Sequence, residues 1–152
     1  MRVGLPKQQG DPPFTHDELL HRRLIRDWVD GDAVAPEAIQ FAETSVDRGL
    51  MATPQESLDR GSELEVAIGS AAFGQLPSEF KPPPSNSNPP PKTFELVVVH
   101  CPENGNGAHT HLQSHQLEAL KPSKPGGMMK MQIRTEIASK MRVTLRRNTP
   151  SR

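Results

Sequence analysis

Arg22, Arg23, Asp47, Arg48 and His109 are the residues whose types could together carry a reaction. An Asp beside Arg and His can act as a general base, with the cations stabilising negative charge on a phosphoryl or nucleotidyl substrate. The same residues also suit a buried ion pair, Asp47 with Arg23 or Arg48, that fixes a fold. No Gly-rich phosphate loop accompanies them, and no motif places a second acid. The ion pair is the simpler expectation.

His109 and His111 alternate and would share one face of a strand; His115 follows His111 by one turn if a helix begins there. With His100 or Cys101 nearby they outline a transition-metal site. Their spacing matches no zinc-finger pattern, and Cys101 is the only cysteine. The plainer expectation is a hydrogen-bonding His109 with His111 and His115 exposed. As a nucleophile, Cys101 would need His109 or His111 to return to it, because adjacent His100 would face the other way on a strand. Ser45 lacks the glycines of a nucleophile elbow. No cofactor is expected.

The elements that must position these groups read as α+β, a single small domain with a short mixed sheet and two or three helices. Thr15 and Glu18 form a capping-box pattern ahead of Leu19, Leu20, Leu24 and Trp28, which predicts a helix ending at Gly31. Pro36 opens a short turn of helix, and Ser45 to Arg48 reads as extended or looped. Thr53-Pro54-Gln55-Glu56 starts a helix running to Arg60. Glu63 to Ile68 alternates as a strand, and Ser70 to Gln75 reads as a short link. Phe94 to His100 is the strongest strand, apolar enough for burial on both faces. It is expected at the centre, between Glu63 to Ile68 and an edge strand Met141 to Arg146. A helix from Met128 would bury Met129, Ile133 and Ile137. Among Met128, Met129, Met131 and Met141, core filling is expected over a binding face.

Seven prolines fall within residues 77–93, a surface excursion, and those at 82–91 carry Ser and Asn between them. Residues 1–14 read as a disordered leader, 15–147 as the domain and 148–152 as a frayed tail. The absence of an apolar signal region or a long apolar run points to a cytoplasmic protein with no membrane partner; the lone cysteine leaves no disulfide-linked partner expected.

Charge divides unevenly. Residues 1–120 hold 9 Lys+Arg against 17 Asp+Glu, whereas residues 121–152 hold 9 Lys+Arg against Glu136 alone. Either the basic segment folds onto the acidic body, or it meets phosphate or an acidic partner.

Three stretches in order carry a resemblance: Glu18 to Leu24 with Trp28, Ser45-Val46-Asp47-Arg48, and Ala108-His109-Thr110-His111-Leu112. Together they resemble a family of small, uncharacterised bacterial proteins with Leu-Tyr-Arg-Arg-Ile-like, Ser-Val-Asp-Arg-like and His-Ala-x-aliphatic segments. The resemblance would span residues 17–147 and implies that Arg23, Asp47, Arg48 and His109 occupy motif positions. The chain departs from it at His21, where Tyr is typical, and in the Pro-rich insertion at 82–91. It implies no activity. The expected function is a non-enzymatic interaction protein, binding a protein or polyanion through its basic C-terminal segment. The alternative is a small hydrolase or nuclease using His109 and Asp47 with Arg23 or Arg48.

Overall fold

The computed structural model describes residues 2–4 and 11–147. Residues 1, 5–10 and 148–152, which include much of the segments read as leader and tail, lie outside the described residues. The α+β outline holds, but the molecule is mostly sheet. Among the described residues are ten strands in one sheet and two α-helices, where a short sheet is expected from sequence.

The segment read as a first helix is strand β2, Leu19–Ile25. Leu20 and Leu24 satisfy a helical spacing, but they also share one side of a strand, with Arg22 between them. An isolated helix of this length is marginal in water, whereas β2 gains a full antiparallel partner in β6, Glu65–Ala72. Gly69 faces Arg22, and a Cβ there would lie 2.9 Å from Val34 and 3.1 Å from Leu24, so a side chain at this position would force these core residues to shift. Thr15 caps no helix; its carbonyl accepts from the Glu18 amide in a turn.

Asp47 and its neighbours lie on β5, Glu43–Arg48, which pairs β2 on one side and β9, His109–Gln116, on the other. Beyond β9 runs β8, Phe94–His100, buried along its whole length. Its strand assignment stands, but its neighbours differ from those expected. Besides β9, it pairs with the short strands β1, Arg2–Val3, and β7, Glu79–Phe80. Arg2–Val3 thus belongs to the sheet although it falls within the segment read as a leader. The expected partners of β8 pair with each other: β10, Arg142–Arg146, lies antiparallel to β6. The small strands β3, Val29–Asp30, and β4, Ala33–Val34, continue the sheet past β10.

Helix α1, Pro54–Asp59, starts as its sequence dictates. Thr53 accepts from the Glu56 amide at 3.1 Å, and Glu56 accepts from the Thr53 amide at 3.1 Å. Hydrogen bonding of the Glu56 carboxylate to the Thr53 backbone and side chain holds it below the usual carboxylate value. Helix α2, Gly127–Lys140, turns Ile133, Ile137 and Ala138 onto one face of the sheet, where they join Leu20, Leu24, Val46, Leu96, Val98 and Leu112. That is the main core. No helix of the described residues is long and apolar enough to cross a membrane.

Candidate functional site

Strand alternation sends the other set of side chains to the opposite face, and the register there lines up a polar row. His21 on β2 faces Asp47 on β5, Asp47 faces His109 on β9, and on the other side His21 faces Ser70 on β6. Directly opposite residues share a face, so Asp47 and His109, far apart in sequence, become neighbours.

Asp47 is 2% exposed and accepts from three donors. Arg23 Nη1 lies 3.2 Å and Ser57 Oγ 2.7 Å from Oδ2, and Asn106 Nδ2 lies 2.9 Å from Oδ1. Arg23 also donates to the Ser57 carbonyl and pairs with Glu65 at 3.4 Å. Asn106 in turn accepts from Arg60 at 2.9 Å. One carboxylate therefore ties together β2, β5, α1 and the loop before β9.

Arg48 leaves this group. It points to the other face, is fully buried, and clamps Glu18 through two bonds of 2.7 Å. It also donates to the carbonyls of Pro12 and Pro13, while Phe14 lies 3.9 Å from its guanidinium carbon and stacks on Phe73. Arg22 is likewise engaged, donating to the carbonyls of Ala38 and Ser45 and lying over Trp28. Burial, partly offset by Glu65, lowers its pKa.

His109 Nδ1 donates to the Cys101 carbonyl at 3.1 Å and lies 3.4 Å from Glu103. Its ring meets that of His111 edge-on, 4.8 Å between centroids, and His111 Nδ1 lies 3.6 Å from Cys101 Sγ and 3.4 Å from Glu43. The return of a histidine to Cys101 thus occurs through His111, although the thiol also donates to the Val99 carbonyl. His115 is elsewhere and buried rather than exposed, with Nε2 2.9 Å from Gln113 Oε1 and Nδ1 3.0 Å from the Ala119 carbonyl. Among the described residues, no group of three or more His, Cys, Asp or Glu is arranged to hold a metal ion.

Sequence reasoning passes over the other end of the row. His21 Nδ1 lies 2.7 Å from Ser70 Oγ, which lies 2.8 Å from Thr144 Oγ1 on β10. Burial lowers the His21 pKa, against the raising influence of Asp47, the Ala52 backbone and Glu18. The ring is accordingly neutral at pH 7, and Ser70 Oγ links it to Thr144. His21 is 3% and Ser70 5% exposed. The available signal was parity: once Leu19–Ile25 is a strand, His21 and Arg23 must share a face.

His21, at one end of the row, borders a cleft of about 440 Å³ together with Glu18, Leu19 and Gly49; other clefts lie away from the row. One of about 610 Å³ opens between the Pro-rich excursion and the start of α2, and is lined by Pro82, Lys92, Phe94, Lys124, Met128 and Met129 among others. A second, of about 320 Å³, has Arg26, Arg146 and Arg147 on its walls. The chain matches no protein-family model, no curated protein and no solved structure.

Proposed function

We propose that this protein is an interaction module whose basic C-terminal segment receives an acidic segment of a partner protein. The observation that carries this is the 610 Å³ cleft, which has two lysines and no Asp or Glu in its lining. One wall is proline, held against α2 by a bond from Gln132 to the Lys81 carbonyl; such a wall is stiff and loses little entropy on binding. The other is the N-terminus of α2, which has neither a capping side chain nor an acid in its first turn. Its first amides and partial positive charge therefore remain available to an anion. Added Cβ atoms at Gly126 or Gly127 would meet open space, so the approach is unobstructed. Met128, 79% exposed on the cleft wall, offers an adaptable apolar contact.

The charge split supports the same reading. Among the described residues, one ion pair joins the basic segment to an acid of the body, Arg146 with Asp32 at 3.6 Å. Arg142 and Arg147 instead donate to backbone carbonyls. Carbonyls orient a guanidinium without cancelling its charge. The competing reading, a small hydrolase or nuclease on His109 and Asp47, needs both groups open to a substrate. They are 5% and 2% exposed.

The test is fluorescence anisotropy of a labelled Glu/Leu-rich peptide titrated with the full chain. Saturable binding should weaken about tenfold or more in Lys92→Glu/Lys124→Glu. A peptide with Glu replaced by Gln should not bind. Equal affinity for the double variant would contradict the proposal.

A further inference from the structure

We infer that a second site, the cleft formed by Arg26, Arg146 and Arg147, binds a phosphate ester. Two elements supply its arginines. Arg26 opens the 3₁₀ turn after β2, Arg146 ends β10, and Arg147 follows it. Val29, Val66 and Ala67 supply apolar walls between them, and no Asp or Glu lines the cleft.

Setting three arginines along one hollow costs repulsion unless something answers the charge. The fold answers it only in part. Arg147 donates to the carbonyls of Glu65 and Leu58 at 3.2 Å and 3.1 Å, and Arg146 donates to the Gly31 carbonyl. These acceptors are neutral, so they fix direction and leave the charge in place. Asp32 reaches Arg146 at 3.6 Å but is 89% exposed, and a solvated pair of this kind is weak and readily exchanged. Gly31 adopts φ +60°, which turns the chain so that its carbonyl meets Arg146.

The ligand class follows from the side chains. Arginine presents a planar fork matched to two oxygens of phosphate, where lysine offers a point charge. A volume of about 320 Å³ is near the lower end of small-ligand pockets. It suits one phosphorylated group beside a small apolar contact. The same chemistry could be presented by a free nucleotide or by one unit of a nucleic-acid strand.

The experiment is an amide chemical-shift titration of the full chain with AMP, with inorganic phosphate and with a ten-nucleotide single strand. Shifts should centre on Gly31, Val66 and Arg147. Arg26→Gln should weaken AMP binding about tenfold, and Arg26→Gln/Arg146→Gln should abolish it, with the thermal midpoint kept. Arg147 is left intact because its carbonyl bonds hold α1 to β6. Lys92→Glu/Lys124→Glu should leave phosphate binding unchanged, which separates this site from the proposed peptide cleft. If the strand binds far more tightly than AMP, with affinity falling steeply in salt, the strand is the source of phosphate; equal affinities assign a small molecule. Both outcomes uphold the site. Absence of shifts with all three probes, shifts centred elsewhere, or binding unaltered in the double arginine variant would overturn it.

Discussion

On one face of the sheet Leu20, Leu24, Val46, Leu96, Val98 and Leu112 pack against Ile133 and Ile137 of α2. On the other, the same strands present His21, Arg23, Asp47, Ser70 and His109, with α1 placing Ser57 over Asp47. The first face is closed by removing apolar surface from water, a force without direction. The second is closed by satisfying buried polar groups one by one, which is directional and fails if a single partner is lost. The contrast explains why residues that look catalytic in sequence are occupied in the fold. Polar side chains with unneutralised charge lie instead at the rims, where loops and strand ends meet.

Breaking each face should have a different signature. Ile137→Ala empties a fully buried position and should cost about 4 kcal/mol in urea unfolding. Asp47→Ala strands Arg23, Ser57 and Asn106 and should cost about 3 kcal/mol; Arg23 retains Glu65 and some solvent, which moderates the loss. The faces differ most clearly in coupling. Asp47→Ala and Ser57→Ala should be non-additive by about 1 kcal/mol, whereas Asp47→Ala and Ile137→Ala should add to within about 0.5 kcal/mol. Additivity inside the polar row would mean that its members act separately.

A smaller effect sharpens the same contrast through pH. The folded His21 pKa lies below its unfolded value of 6.5, so between the two the unfolded chain binds the extra proton. Stability is then complete above about pH 6.5 and declines as pH falls towards the folded value. His21→Gln should remove part of this acid sensitivity in thermal melts at pH 7 and pH 5.5. An unchanged pH dependence would show that the row does not hold His21 neutral.

Much of the fold is legible wherever a local rule has no rival. Thr53 to Glu56 caps α1 because both halves of the box lie within four residues, and α2 follows from the spacing of Ile133 and Ile137. The apolar run Phe94 to His100 is a strand under any reading. Leu19–Ile25 fails because Leu20 and Leu24 satisfy helix and strand periods alike; the pairing with β6, whose Gly69 lies some 47 residues away, decides the matter. Pairing partners are illegible for the same reason, since register depends on strands not yet placed. In the site, Arg23 with Asp47 was readable as an ion pair. Ser57, Asn106 and Ser70 were not, because nothing local marks a Ser or Asn that will meet a carboxylate or imidazole across the sheet. Arg48 stood beside Asp47 in the motif yet faces away, as strand alternation requires.

Hydrogen exchange on the full chain, with and without the acidic peptide, tests most directly whether contact is made at the cationic rim or on the polar row. Added protection is expected in residues 82–92 and 124–132, with β5 and β9 unchanged. Protection concentrated in Glu43–Arg48 and His109–Gln116, with none beside the prolines or the start of α2, would contradict it.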